Sequence, residues 1–533
     1  MENKTIMKKI AAVALALVFL LGSITILRIY AADKSNQSGD TIVTESTTKA
    51  TTGYEDLFKK DSVKDIYIEV SETDWKSMLA DPLAEEYKSA SVKMDGITLE
   101  NVGFRTKGNL TLRSVANSDS DRYSFRIKLD KYVKGQSLLG LDEFVLNNMY
   151  ADPSYMREYL SYEALRIIGA DVPLANFANI YINGELYGFY LFVEAVDDSF
   201  LERSFGEVDG NLYKQEQGST LQHIEGSSYD KSELKVGDDT SKTDLKNFIK
   251  ILNEMPEGEK GDIEKVLDVD SALRYIAANT VLGNYDSYSG NMAQNYYLYG
   301  QDGKFTVIPW DYNMSIGGFG GGGDQTTIPI DEPVLGVKVE NLPLIDNLLA
   351  VEEYKEEYHG YIKDLLGYLE NFEGRVTELA KIIRPYVEAD PTKFYTMEQF
   401  EANISYSEVK AEAAQTSITP QEKQGLPQQP QNQTGAATDD SKNVNGFSGN
   451  RPEPPQGMPE GFENGDRPEP PQGAIDGNMK GGPGGRGMMG GSTSIMNFIR
   501  DRVANILQQL SGELPTTGNT TMNNSRGGNG NNR

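Results

Sequence analysis

There is no cysteine among the 533 residues, which excludes disulfides, thiolate metal sites and cysteine nucleophiles. Histidine is nearly absent too: His223 and His359 are the two in the chain, each in a charged or polar neighbourhood. That argues against a His-based metal cage and against a Ser-His-Asp triad. Positive charge is scarce, with 51 Lys and Arg against 79 Asp and Glu and a net charge of -28. Nucleic acid and acidic membrane surfaces are therefore poor partners for the chain as a whole. An anionic ligand needs a local basic site or a metal ion. Chemistry here must run on carboxylates, lysines, hydroxyls and amides.

What is present divides the chain. The length allows two or three ordinary domains, or one large domain with tails. The 53 Gly and 22 Pro, many of them after residue 417, favour tails. Lys4, Lys8 and Lys9 precede an uncharged run from Ile10 to Leu27, roughly 27 Å long as a helix. Residues 1–32 read as a signal peptide or an uncleaved membrane anchor, with the basic end inside the cell. Either way the remainder is expected outside the cytoplasm, secreted or membrane-anchored at the cell surface. Residues 33–53 are a Ser/Thr-rich linker, and 54–410 are the folded domain. Residues 411–492 hold "PQQPQNQ", a repeated "RPEPPQG" at 451 and 467, and "GGPGGRGMMGG". Such a segment is expected to be disordered, because it has too little apolar surface to bury. In 493–513, Ile495, Phe498, Ile499, Val503, Ile506 and Leu507 form one helical stripe. This helix is expected to dock back on the domain, with an isolated amphipathic partner helix as the alternative. Residues 514–533 read as a disordered tail.

Within the folded part, alternation at Ile66, Ile68 and Val70 predicts a half-buried strand. Asp95-Gly96, Asn183-Gly184 and Asp302-Gly303 predict tight hairpin turns. The run 186–193, apolar on both faces, predicts a covered central strand. Asp152, Pro153 and Gly169 punctuate a helix as cap, first turn and stop. After residue 241 helical periodicity dominates. A strand-rich half followed by a helix-rich half predicts two lobes of an α+β domain.

The stretch "LGNYDSYSGNMAQNYYLYGQDGKFTVIPWDYNMSIGG", 282–318, carries the strongest chemical signal. It sets Asp286 before one strand of a hairpin and Asp311 after the other. Paired carboxylates serve glycoside hydrolysis, or hold a divalent metal and orient a hydroxyl. Asn291, Asn295 and Asn313 beside them add neutral oxygen ligands, which favours the metal. Asp286 and Asn291 have the D-x-x-x-x-N spacing of a protein-kinase catalytic loop, in which the Asp orients the hydroxyl and the Asn binds metal. A surface hairpin with Asp in its turns is the plain alternative. A kinase also needs a phosphate-binding lysine held by a helix glutamate. Lys128 is the first candidate, ahead of the helix bearing Glu158 and Glu163; Lys107 is its rival, and Arg105 is a further basic group. The apolar strand ending at Glu194 suits a hinge where adenine stacks. No G-x-G-x-x-G loop occurs in the N-terminal half, and "GGFGGGGD" at 317–324 lies after Asp311, as a mobile segment by the site or a linker.

The segments "FRTKGN", "RYSFRIKLDKY", "LNNMYADPSYMREYLSYEALRIIGADVP", "ANIYINGELYGFYLFVEAVDDSFLERSFG", "GNLYK", "GNYDSYSGN", "NYYLY" and "IPWDYNMSIGG" together resemble the CotH family, the spore-coat-protein-H-like atypical kinases. The resemblance covers about residues 62 to 320, in family order. It implies a distant, two-lobed protein-kinase-like fold with ATP and Mg²⁺ or Mn²⁺ as cofactors. The implied activity is phosphorylation of Ser or Thr on exported, cell-surface or spore-coat proteins. It places the catalytic role on Asp286, metal binding on Asp311 with Asn291 or Asn295, and phosphate binding on Lys128. The position after "WDY" is often acidic in the family; Asn313 here removes a charge from a second metal site. A non-catalytic surface or coat module that keeps the fold is the competing reading, suited to the Gly/Pro tail.

Overall fold

The computed structural model describes residues 53–206, 208–320, 323–406 and 493–518. The export segment, nearly all of the linker, the Pro/Gly-rich stretch and the end of the tail lie outside the described residues. Among the described residues no helix is long and apolar enough to cross a membrane.

The first half is a closed barrel of strands β1 (Val63–Val70), β2 (Lys88–Met94), β3 (Ile97–Lys107), β4 (Ser124–Lys128), β5 (Glu143–Asn147), β6 (Ala175–Ile182) and β7 (Glu185–Glu194). Their order around the barrel is β1-β2-β3-β4-β5-β7-β6. The barrel closes through parallel pairing of β1 with β6, while the other neighbours run antiparallel. Alternate residues point inward, so Ile66, Ile68, Phe104, Phe125, Ile127, Phe144 and Phe192 fill one core. The predicted turns form as read. Asp95-Gly96, Asn183-Gly184 and Asp302-Gly303 all have both residues at positive φ, the mirror-image turn whose twist matches its strands. β7 sits between β5 and β6 and is buried from Gly188 to Glu194. Its inner face feeds the barrel core, and its outer face, with Phe189, Leu191 and Val193, belongs to a second core.

Helices α1 (Glu72–Ala80), α2 (Leu110–Ala116), α3 (Arg157–Ile167) and α4 (Asp198–Phe205) punctuate the barrel half. The rest is mainly helical: α5 (Thr243–Asn253), α6 (Val269–Leu282), α7 (Pro343–Ala350), α8 (Glu352–Leu369), α9 (Phe372–Ala389), α10 (Met397–Asn403) and α11 (Ile495–Leu510). A four-stranded sheet is set among them, with β8 (Asn211–Gln215), β9 (Ser232–Val236), β10 (Tyr296–Gln301) and β11 (Lys304–Pro309) in the order β11-β10-β8-β9. The chain is thus α+β. α6 is buried over nearly its whole length and anchors the second core.

Two local expectations change. α3 starts at Arg157, not beside Pro153. Asp152 accepts hydrogen bonds from the Ser154 and Arg157 backbone N–H groups and pairs with the Arg157 guanidinium, so its side chain holds a turn before the helix. On α11, Leu507 is 53% exposed, whereas Arg502 is fully buried. A stripe read from apolarity alone cannot find an arginine whose hydrogen bonds are all met inside.

Arg122 fastens the barrel to the end of α9. It is fully buried, pairs with Asp390 at 2.8 Å, donates to the Phe189 and Asn148 carbonyls, and stacks over Tyr190. Removing one partner of a buried pair strands the other. Arg122→Ala is therefore expected to destabilise by about 3–5 kcal/mol, measured by urea unfolding. A loss under about 1 kcal/mol would mean that Asp390 is neutralised elsewhere.

Candidate active site

The β10–β11 hairpin does bring its flanking acids together. Asp286 lies three residues after Gly283, whose left-handed φ of +60° ends α6, and it is the half-buried residue in an otherwise buried run from 281 to 290. Gln294 Nε2 donates to its Oδ1 at 2.6 Å, and Asn295 Nδ2 donates to its Oδ2 at 3.2 Å and its carbonyl at 2.7 Å. Asn295 holds a left-handed φ of +59° to do so. Asp311, directly after the second strand and Trp310, is also left-handed at φ +60°. Such a conformation is uncommon for a residue other than glycine, and here it is fixed by the Asp311 N–H donating to Tyr162 Oη at 3.1 Å.

From Tyr162 a hydrogen-bond chain runs from the hairpin side to the barrel. Tyr162 Oη donates to Glu158 Oε1 at 3.1 Å. Asn147 Nδ2, at the end of β5, donates to Glu158 Oε2 at 2.9 Å. Lys107 Nζ, at the end of β3, donates to Asn147 Oδ1 at 2.8 Å. Four segments distant in sequence thus set Lys107, Glu158, Asp286 and Asp311 around one space.

The electrostatics follow from crowding. Burial, and secondarily the Asp311 charge, push the Asp286 carboxyl up to about 7. The same causes, in the same order, push Glu158 up to about 7, opposed by Lys107. Asp311 is raised by burial, against the pull of Lys107 and Lys214. Lys107 is lowered by burial, with Asp311 opposing. No hydrogen bond reaches the Asp311 carboxylate oxygens among the described residues. Three acids in this space face two lysines, a surplus of negative charge with carboxylate and amide oxygens at hand. That donor set fits a hard divalent cation, through Asp311 and Asp286 with an amide oxygen such as that of Asn295. Among the described residues, no group of three or more His, Cys, Asp or Glu is gathered closely enough to hold a metal by itself.

Several sequence candidates fall elsewhere. Lys128 pairs with Glu143 at 3.3 Å and Asp130 at 3.2 Å, and with neither Glu158 nor Glu163. Glu163 turns away to Arg375 and Lys60. Arg105 pairs with Glu85 and stacks over Tyr87. Glu194 is fully buried and held by Arg203, Tyr54 and the Leu174 N–H, so its side chain is occupied by the fold. Asn291 is exposed beside Gly336, and no hydrogen bond ties it or Asn313 to either aspartate. The reason is register. Gly103 of β3 pairs with Lys128 of β4, so Lys107, opposite Ser124, stands four residue pairs further along, at the end that feels the Asp311 charge. Gln294, Lys214, Asn147 and Tyr162 were not singled out as site residues, although "GNLYK" and "LNNMY" contained two of them.

The raised carboxyls make a stability prediction. Asp286 has a native pKa near 7 and an ordinary value of 3.8. It therefore favours the fold fully below its ordinary value, and that contribution is lost as pH rises toward 7. Asp286→Asn is expected to raise the melting temperature of the metal-free protein at pH 8 by about 2–4 °C. The gap should close toward about pH 4. An equal gap at both pH values would show that packing, not charge, is responsible.

Paired acids at the ends of a hairpin, faced by a hydrogen-bonded lysine and a helix glutamate, make a site whose chemistry suits a cation. Residues 104–416 match a family model described as CotH kinase protein, and the chain belongs to the CotH family. It is also similar to the inner spore coat protein H of Bacillus subtilis (strain 168), with 29% identity over 284 residues, 51% of this chain and 75% of that protein.

Proposed function

We propose that this chain is an atypical protein kinase of the CotH type, transferring the γ-phosphate of ATP to a Ser or Thr hydroxyl of an exported or spore-coat protein. The observation that carries the reading is the convergence of Lys107, Glu158, Asp286 and Asp311, from β3, α3 and the two ends of one hairpin, within hydrogen-bonding and charge reach of one another. The barrel and the helical part supply the two walls, as the lobes of a kinase-like fold would. The name of the Bacillus relative supports a coat location, outside the cytoplasm.

In this reading Asp286 accepts a hydrogen bond from the acceptor hydroxyl and takes its proton as the new O–P bond forms. The bond between the γ-phosphorus and the β,γ-bridging oxygen breaks, and ADP leaves. Its amide partners Gln294 and Asn295 hold the carboxylate in place and favour its charged form. Lys107 binds phosphate oxygens, and Asn147 relays its position to Glu158. Lys214 adds a second positive charge facing Asp311. Mg²⁺ or Mn²⁺, held by Asp311 and an amide oxygen, would neutralise phosphate charge.

The test is transfer of label from γ-labelled ATP by the chain from residue 54 onward to a generic protein acceptor, with Mg²⁺ or Mn²⁺. Metal-dependent incorporation at Ser or Thr is expected. No incorporation, together with no metal-dependent ATP binding, would overturn the kinase in favour of a non-catalytic coat module.

A further inference from the structure

α11 lies beyond the residues matched to the family, yet it reaches the base of the site. The Phe498 ring sits between two glycines. Gly283 ends α6 just before the Asp286 loop, and Gly317 ends the turn that follows Asp311. Both have positive φ, +60° and +74°, and a Cβ built on either meets the Phe498 ring, at 2.9 Å from Cδ2 for Gly317. The two loops are also joined directly, by the Ile316 N–H donating to the Leu282 carbonyl at 2.7 Å.

The rest of the helix reinforces this contact. Arg502, fully buried, donates through Nε and Nη2 to the Thr280 carbonyl at 3.1 and 2.9 Å, and through Nη1 to the Thr326 and Ile328 carbonyls at 3.0 and 2.6 Å. Thr280 is in the last turn of α6, whose carbonyls lack helical partners, so a cation there satisfies both the hydrogen bond and the helix dipole. Just before α11, Thr493 donates its N–H to the Gly317 carbonyl, and its own carbonyl accepts from Arg157. The Ser494 hydroxyl donates to the Ser405 carbonyl at 2.6 Å, although 89 positions separate them. The described residues on the two sides of 407–492 thus meet at one point.

We propose that α11 is a positioning element of the active site, with Phe498 as the wedge that fixes the Asp286 loop against the Asp311 loop. Phe498 touches neither substrate nor reacting atoms; it acts through the two glycines. The proposal rests on the kinase reading for its effect on transfer, but not for its effect on the loops.

The experiment compares full-length Phe498→Ala with Leu507→Ala, a change on the exposed side of the same helix. In Phe498→Ala, the amides of Asn284, Ile316 and Gly318 should exchange with solvent about tenfold faster, while those of β3 to β5 stay unchanged. Mn²⁺ affinity should fall about 10–100-fold, as for other residues that orient ligands, and transfer should fall with it. Leu507→Ala should match the parent in each. If Phe498→Ala does not fold, Phe498→Leu, which keeps apolar volume, carries the same comparison. Unchanged loop exchange in a folded Phe498 variant would overturn the proposal. A parent with neither transfer nor Mn²⁺ binding, but with faster loop exchange in the variant, would sink the kinase reading and leave the wedge standing.

Discussion

Asp286→Ala and Asp311→Ala are each expected to reduce phosphate transfer by about 10³-fold or more, with the barrel intact. The two losses should differ in kind. On the proposed mechanism, removing Asp286 takes away the group that orients the hydroxyl and receives its proton, so turnover should fall while ATP binding persists. Removing Asp311 takes away a carboxylate that, among the described residues, no hydrogen bond reaches, and that a bound cation would use. Metal-dependent ATP binding should then fall together with turnover. Asp311→Ala also relieves Asp286 of a neighbouring charge, so the Asp286 carboxyl should drop below about 7, while burial, the larger cause, still holds it up. Transfer assays with radiolabelled ATP, paired with nucleotide binding by calorimetry in Mg²⁺ and without it, separate these outcomes. Full turnover in either variant would remove that aspartate from the mechanism.

The second large effect distinguishes two lysines. Lys107→Ala is expected to cost about 10²-fold or more in transfer, because a phosphate clamp in a water-poor site is worth several kcal/mol. Lys128→Ala should cost much less. Lys128 is tied to Glu143 and Asp130 and lies further from the hairpin. Glu158→Gln gives an intermediate test. It keeps a hydrogen-bond acceptor for Asn147 but removes the charge that offsets Lys107, so it should weaken ATP binding more than it slows turnover. The measurement is kcat and KM for ATP in each variant. A larger loss from Lys128→Ala than from Lys107→Ala would reverse the assignment.

Much of the local structure was legible in the residues. Asn183-Gly184, Asp95-Gly96 and Asp302-Gly303 demand positive φ at both turn positions, and each supports a hairpin. The doubly apolar run in β7 announced a strand covered on both faces, because both faces must leave water. Asp286 and Asp311 were visible because a hairpin of fixed length must bring its two ends together, whatever surrounds it. The choice of Lys107 over Lys128 was not legible. Both lie on strand faces of the same parity pattern, and only barrel register and the approach of α3 decide which one meets the hairpin. Glu158 and Glu163 share a helix, but they point to different sides, one toward Asn147 and Tyr162, the other toward Arg375. The Asp152 turn, the buried Arg502 and the exposed Leu507 likewise depend on contacts made by residues far away in the chain. By itself, the sequence determined turns, strand burial, the paired acids and the family. The tertiary structure decided which basic group faces the acids and which helix braces their loops, because charge pairing and packing act across space, not along the chain.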